Sequence, residues 1–414
     1  MTRHRTVRVL LVGGPMYDQL YDRFRSFERA TGLLVEVVDR LPHPELNARV
    51  KQEFENGNPD LDLISTHTKY APSQAAWLAP LDDLPLAAEL ADFLPQPLQL
   101  ARINGALLQI PRNLDVRLLY YRRDLLSDSE ANGRDAGHSA LMAVPRTWDA
   151  LVETAAELTR PGRYGFLFPG RDSGLFGTFY ELLVSAGGEL FDHDLRPAFN
   201  GPAGVWAADR IAELHHRRRV TPRELSTWHY DEVSASFRRG ESAMTCDWPG
   251  SHHLYVTPAT CAVADRIGLA LLPTGPAGTR AAYAGCHSFA IPITAPNRAG
   301  AAQLLQDLTS TVAQLEEARR GAIPVRASAL SQVRAEAGTE PAESHRWELL
   351  ARTQEAMIIP PRFAAYAACE EALWRAIQRA MEGIVSPQAA VEEGARRIGT
   401  LVAGARALPQ PNLV

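Results

Sequence analysis

The chain opens on a regular exchange of two hydrophobic periods. Val7 to Val12 is a short apolar, β-rich run that ends in Gly13-Gly14-Pro15. Tyr17, Leu20, Tyr21, Phe24 and Phe27 then recur at helical spacing until Thr31-Gly32 stops them. Leu33 to Val38 predicts a second strand, and Glu45 to Glu55 a second helix with Leu46, Val50 and Phe54 on one face. Asn56-Gly57-Asn58-Pro59 breaks that helix ahead of a third strand over Leu61 to Ile64. A β-α-β-α-β order implies a parallel sheet with helices on its faces. Ligands of such sheets bind beyond the carboxyl ends of the strands. That points to two loops, Gly13 to Tyr17 and Ser65 to Tyr70.

The middle of the chain keeps the same style. Strands are predicted at Leu118 to Tyr121, Gly165 to Phe168 and from Ser242 to Thr245. Helical stripes run through Trp148, Leu151, Val152, Ala155 and Leu158, and through Phe176, Phe179, Tyr180 and Leu183 up to Gly187-Gly188. Val233 and Phe237 mark a helix closed by Gly240. Ala302, Leu305, Leu308 and Val312 suggest one more helical face. The last two helices carry Leu373, Ile377 and Met381, then Val391, Ala395, Ile398 and Val402. Ser386-Pro387 supplies an N-cap with proline at the first helical position. Leu126 to Ala143 and Leu330 to Ser344 read as surface insertions, and Leu408 to Val414 as a loose tail. No repeat of solenoid period occurs.

At 414 residues the chain exceeds one ordinary core, so two domains are expected. A composition of 46% hydrophobic and 22% charged residues is that of a globular protein. The net charge of −5 argues against nucleic-acid binding, and Arg217-Arg218-Arg219 and Arg122-Arg123 read as solvated ends. Lys51 and Lys69 are the only two lysines. Cys246, Cys261, Cys286 and Cys369 form no Cys-x-x-Cys pair; one disulfide, such as Cys246 with Cys261, and buried free thiols both remain open. The apolar run Val9 to Val12 is too short for the core of a secretory signal, and no run is long enough to span a membrane. Either a leader lies outside this sequence or the protein stays inside the cell.

Catalytic motifs are missing. With two lysines there is no phosphate-gripping Gly-x-x-x-x-Gly-Lys loop, and Gly13-Gly14-Pro15 lacks the third glycine of a dinucleotide fingerprint. Neither Gly-x-Ser-x-Gly nor His-Glu-x-x-His appears. The pairs His215-His216 and His252-His253 consist of neighbours that point apart, so neither is a metal clamp by itself. Cys286-His287 lacks the geometry of a nucleophile with its base, and Asp192-His193-Asp194 reads as a turn. No catalytic residue, metal or cofactor is expected, which favours binding over chemistry.

Several segments, in order, resemble one family. They are Phe27-Glu28-Arg29-Ala30-Thr31-Gly32, Asn58-Pro59-Asp60-Leu61-Asp62-Leu63-Ile64, and the stretch Ile110-Pro111-Arg112-Asn113-Leu114-Asp115 continuing to Leu125. Pro145-Arg146-Thr147-Trp148-Asp149, Gly187-Gly188-Glu189-Leu190-Phe191, Phe237 to Met244, Leu272-Pro273 and Gly321-Ala322-Ile323-Pro324-Val325-Arg326 follow. The chain is similar to the extracellular solute-binding proteins of ABC importers, in the sugar-binding class related to maltose-binding protein. The resemblance implies a type II periplasmic-binding fold, in which two α/β lobes joined by hinge strands close on a ligand. It places the crossings near Pro111 to Asp115, Leu271 to Gly278 and Ile323. The N-lobe would be residues 1–111 and 279–322, and the C-lobe 112–278 and 323–414. It also implies an extracytoplasmic monomer that hands its ligand to permease subunits.

By the same resemblance Trp248 is an aromatic platform for a sugar face, and Asp115 a carboxylate for sugar hydroxyls, with a salt bridge to Arg112 or Arg117 as its structural alternative. Asn113 shares either role. The loop geometry adds Tyr17, His67, Lys69 and Tyr70. Asp172 and Phe176 lie in a segment that faces ligand in relatives, and His287 and Arg326 sit near the later crossings. Aromatic residues make up only 7% of the chain, which fits a mono- or disaccharide or a polyol better than a long oligosaccharide. Two other readings use the same fold: a sugar-active enzyme with Asp115 and His67 or His287 as acid and base, and a sensor that presents its ligand to a receptor.

Overall fold

The computed structural model describes residues 5–57, 60–128 and 141–403. The opening alternation builds one half of a five-stranded sheet. Its order is Leu34–Leu41, Thr6–Val12, Leu63–His67, His287–Ala290 and Ile110–Pro111. The first three strands run parallel, and the two contributed from later in the chain pair antiparallel. Thr6–Val12 is the central parallel strand and sends its side chains to both sides. Val7, Val9 and Leu11 pack into the main core with Phe24 and Phe27. Leu10 and Val12 join a second core with Leu46 and Val50 from the helix His43–Glu55. The helix Phe24–Thr31 ends where expected, because Gly32 adopts φ +72° and returns its N–H to the Glu28 carbonyl.

A second sheet has the order Tyr164–Leu167, Ser242–Asp247, Leu118–Arg122 and Ile267–Ala270. The helices Trp148–Leu158, Asp172–Ser185, Tyr230–Arg238, Tyr366–Met381 and Pro387–Leu401 belong to the same half of the chain's architecture. Two of them are capped by side chains, and the Ser386 cap is the one expected from local sequence. Thr147 Oγ1 accepts from the Ala150 N–H at 3.1 Å, and Ser386 Oγ accepts from the Ala389 N–H at 3.2 Å. A third sheet lies between these two bodies: Ile323–Pro324, Asn113–Val116, Ala282–Gly285 and Met357–Ile358. Backbone that leaves one large sheet and enters the other passes through it.

The structure departs from local expectation at several places. Val312 does not continue the face of Ala302, Leu305 and Leu308. The helix Arg298–Leu308 stops, and Ser310 caps a new helix, Thr311–Ala318, on which Val312 is 59% exposed. Leu330 to Ser344 is no insertion. It forms most of the helix Ala327–Ala337 and the start of Pro341–Gln354, which bury Val333 and Trp347. The segment 271–278 does not cross between bodies, because Thr274 and Ala277 bond to Arg146 and Ser185 of the second one. The strand Ala282–Gly285 makes that passage. All four cysteines are buried free thiols. The ends of the Leu126 to Ala143 insertion pair as Leu126–Ser127 with Met142–Ala143, while its centre and the tail Leu408 to Val414 lie outside the described residues. No helix among them is long and apolar enough to cross a membrane.

Candidate ligand-binding cleft

A cavity of about 790 Å³, its mouth included, opens where the three sheets meet. One wall comes from the carboxyl ends of the first sheet: Met16 and Tyr17, Pro42 and His43, His67 and Lys69, with His287. The facing wall is Ser173, the run His229-Tyr230-Asp231 at the start of its helix, and Asp247, Trp248 and Ser251 after the strand Ser242–Asp247. Asp115, Tyr283 and Ala284 of the connecting sheet form the floor. The two walls touch at the rim, where Ser251 Oγ lies 3.4 Å from Met16 Sδ and the His253 N–H bonds to the Arg320 carbonyl at 3.0 Å. The conformation is closed.

Three aromatic rings gather on the floor and far wall. Trp248 lies 5.5 Å from Tyr230 and 5.7 Å from Tyr283, centroid to centroid. The guanidinium of Arg117 supports the group from behind, 5.9 Å from both Trp248 and Tyr283. Arg117 is itself locked by Glu181, with Nε at 2.9 Å from Oε1 and a second contact to Oε2. A ring face held this way suits the C–H face of a sugar.

The opposite wall is a cluster of histidines. His43, His67 and His287 meet edge to face, with centroids 5.2 to 5.6 Å apart. Burial pushes the His287 pKa down to about 3, assisted by the Arg112 and Lys69 charges, and lowers His43 and His67 as well. Burial raises Asp115 to about 7, against the opposing pull of Arg112 and of its bond from Asn113. His287 Nε2 and Asp115 Oδ2 are 3.6 Å apart, yet between about pH 3 and 7 both favour the uncharged form. They meet there as neutral neighbours instead of as an ion pair. His43 Nε2, His229 Nε2 and His287 Nδ1 are buried without a protein partner. Such atoms cost about 1–3 kcal/mol each while unpaired, so a hydroxylated ligand that bonds them gains affinity.

The sequence-derived residues divide by position. Tyr17, His67, Lys69, Asp115, Trp248 and His287 are brought together in the cavity, with the Tyr17 hydroxyl 3.0 Å from His287 Nε2. Asn113 lies one step behind, donating to Asp115 Oδ1 at 2.8 Å. Asp172 and Tyr70 line an adjoining groove, where Tyr70 donates to Glu370 at 3.2 Å. Phe176 and Arg326 do not reach the cavity. Phe176 is 2% exposed, packed on Tyr180, Tyr283 and Tyr366 as core. Arg326 is 3% exposed, held by the Thr309 carbonyl at 2.6 Å and by Glu89 and Asp92. His43, His229, Tyr230, Asp231, Asp247 and Tyr283 were missed. The loop after the second strand, which carries His43, satisfies the carboxyl-end rule as well as its two neighbours do. Asp192, His193 and Asp194 form the one described trio with ligand atoms within 4.8 Å of one another. Asp192 Oδ1 already accepts the N–H groups of Asp194 and Arg196, the turn foreseen.

His229 offers a titration with a clear sign. Burial, with the Arg171 and Lys69 charges, depresses it to about 3. The unfolded chain takes up that proton near pH 6.5, whereas the folded one resists it. Its neutrality therefore costs stability progressively as pH falls from about 6.5 toward 3. His229→Asn keeps a good helix cap and should gain on the native protein by up to about 1.4 kcal/mol per pH unit across that window. Urea midpoints measured from pH 7 to 4 check this; parallel profiles would mean that His229 is not depressed.

Two α/β bodies, three connecting passages and a polar, aromatic-floored cavity between them define a hinged solute-binding protein. The chain belongs to the bacterial extracellular solute-binding protein family, whose profile matches residues 14–315. A probable amino-acid ABC transporter periplasmic-binding protein of Sinorhizobium fredii is 27% identical over 275 residues, 64% of this chain and 61% of that relative's length. The mannitol-binding protein of Pseudomonas aeruginosa is 27% identical over 59% of this chain and 54% of its own. Among solved structures, maltose-bound MalE3 of T. maritima superposes with a TM-score of 0.83 at 26% identity, covering 96% of this chain and 99% of that one. A ribitol-bound solute-binding protein of Agrobacterium radiobacter K84 shares the fold with a TM-score of 0.81 at 23% identity, over 96% and 98%. The fold is thus the two-lobed, maltose-binding-protein-like architecture.

Proposed function

We propose that the protein captures a small carbohydrate or polyol in this cleft and delivers it, closed, to the permease of an ABC importer outside the cytoplasm. The observation that carries the reading is the aromatic floor of Trp248, Tyr230 and Tyr283 facing neutral histidines and carboxylates across about 790 Å³. The relatives bound to maltose and ribitol and the one named for mannitol lend the same support. The first lobe is taken as residues 5–111 with 287–322 and the helix Ala327–Ala337, whose Ser328 bonds to Asp92, and the second as residues 118–281 with 366–403, the short connecting strands between them acting as hinge. This moves the second crossing from Leu271–Gly278 to Ala282–Gly285. Ligand that touches both walls stabilises the closed state and shifts the population toward it.

The protein acts as a monomer and leaves its ligand chemically unchanged. An enzyme using Asp115 with His287 is the competing reading, and its geometry is weak: the His287 Nε2 already faces the Tyr17 hydroxyl at 3.0 Å. A thermal-shift screen with monosaccharides, disaccharides and polyols tests the proposal. At least one should raise the melting temperature, since a ligand that binds only the native state stabilises it, and chromatography should recover that ligand intact. Silence across the whole screen sinks carbohydrate capture, and a converted ligand favours the enzyme.

A further inference from the structure

The charges lining the cleft are strongly one-sided. Lys69 is the single cation on its described lining, and both of its strong contacts go to Glu370, at 2.9 and 3.1 Å, with a third bond to the Tyr283 hydroxyl. The nearby arginines are committed in the same way. Arg117 is paired with Glu181, and Arg112 with Glu317, Nε at 2.8 Å. Arg112 keeps Nη1 unpartnered, but it lines the adjacent pocket.

Three carboxylates line the same cavity without a cationic partner. Asp115 is 3% exposed and takes one bond, from Asn113. Asp247 is 1% exposed and is bonded by the Tyr255 hydroxyl and the Trp248 N–H. Asp231 has no ion pair among the described residues and reaches across the cleft to the Gly14 backbone. A Cβ built on Gly14 would lie 3.2 Å from its Oδ2. Beside them stands the unpartnered Nδ1 of His287, a side chain only 8% exposed. Above about pH 7, where Asp115 and Asp247 are ionised, the three carboxylates make the lining negative, and its one cation, Lys69, is already paired with Glu370.

We propose that the ligand carries a basic nitrogen, as in an amino sugar or amino-polyol, and that the cleft rejects sugars bearing a carboxylate or phosphate. The inference rests on the carbohydrate reading above and narrows it. An ammonium offers three donors and one positive charge to carboxylates that no lysine or arginine of the lining neutralises. Above about pH 7 an anion would enter a site where the nearby cations are each paired with a glutamate and three carboxylates repel it, at a cost that burial makes large. Burial is the main reason that Asp115 and Asp247 rise to about 7 and about 6, with repulsion from Glu317 and Asp247 adding to the first and from Asp231 to the second. A bound cation relieves both effects.

Matched probe series test this by thermal shift and calorimetry: glucose, glucosamine and glucuronate, then mannitol, 1-amino-1-deoxymannitol and mannonate. Within the series that binds, the amine should bind about tenfold or more tightly than its neutral parent, the worth of one charge-assisted hydrogen bond. The acid should give no shift. Asp231→Asn, on the exposed first turn of its helix, should bring amine and parent within about threefold, read as the ratio of the two affinities on the same variant. A neutral parent that equals its amine, or an acid that binds, overturns this inference and leaves carbohydrate capture standing. No shift from any of the six overturns this inference, and together with silence across the wider screen it overturns carbohydrate capture as well.

Discussion

Trp248→Ala should abolish the sugar-induced rise in melting temperature while the unliganded protein stays folded. The backbone of residue 248 keeps its bonds in the variant: its N–H to Asp247 Oδ1 at 2.7 Å, and its carbonyl from the Tyr120 hydroxyl at 3.3 Å and the Ser251 N–H at 3.1 Å. What disappears is the half-buried indole that packs beside Tyr230 and Tyr283 over Arg117. A well-packed tryptophan at the centre of a binding surface is commonly worth about 2 kcal/mol or more. Affinity should therefore fall by about thirtyfold, and Trp248→Phe should restore part of it. Calorimetry with the best ligand of the screen checks both variants. A full ligand response from Trp248→Ala would place the stacking surface elsewhere in the cleft.

The largest effect on stability is expected at Arg117 and Glu181. Both side chains are 0% exposed. Glu181 comes from the helix Asp172–Ser185, Arg117 follows a strand of the connecting sheet, and Glu181 Oε1 also accepts the Tyr283 N–H at 2.8 Å. The pair thus pins one body to the hinge beneath the binding floor. Burial raises the Glu181 pKa while Arg117 pulls it down. The two-point contact favours the ionised pair. Glu181→Gln leaves a guanidinium buried without its counter-charge and should cost about 3–5 kcal/mol. For a lobe of this size that lowers the melting temperature by roughly 10 °C. Arg117→Met combined with Glu181→Leu should recover much of the loss, because neither charge is then stranded. A double variant no better than Glu181→Gln would show that the pair's geometry, and not its charge balance, holds the hinge.

Much of the scaffold was legible because it follows local rules. The first three strands and the helices between them are set by apolar period, and Thr147, Ser386 and Gly32 end or begin helices through bonds within a few residues. The errors have an equally physical origin. Ala302, Leu305, Leu308 and Val312 share a helical spacing, but periodicity is blind to the Ser310 cap that divides them. Leu330 to Ser344 looked polar because much of each helix there faces water; Val333 and Ala337 were its buried minority.

The sequence by itself determined the α/β alternation, the capped helices and the loops that border the cleft, since all of these depend on neighbours within a few positions. The tertiary structure alone decided the cleft's chemistry. His43, Asp115, Asp231 and Tyr283 lie far apart in the chain, and only the three-sheet arrangement makes them one lining. It also decided which charges are available. Nothing local to Lys69 announces Glu370, and nothing local to Arg326 announces Glu89 and Asp92. A charged side chain's role depends on whether a distant partner has neutralised it, and folding, by desolvating both partners, makes that difference large.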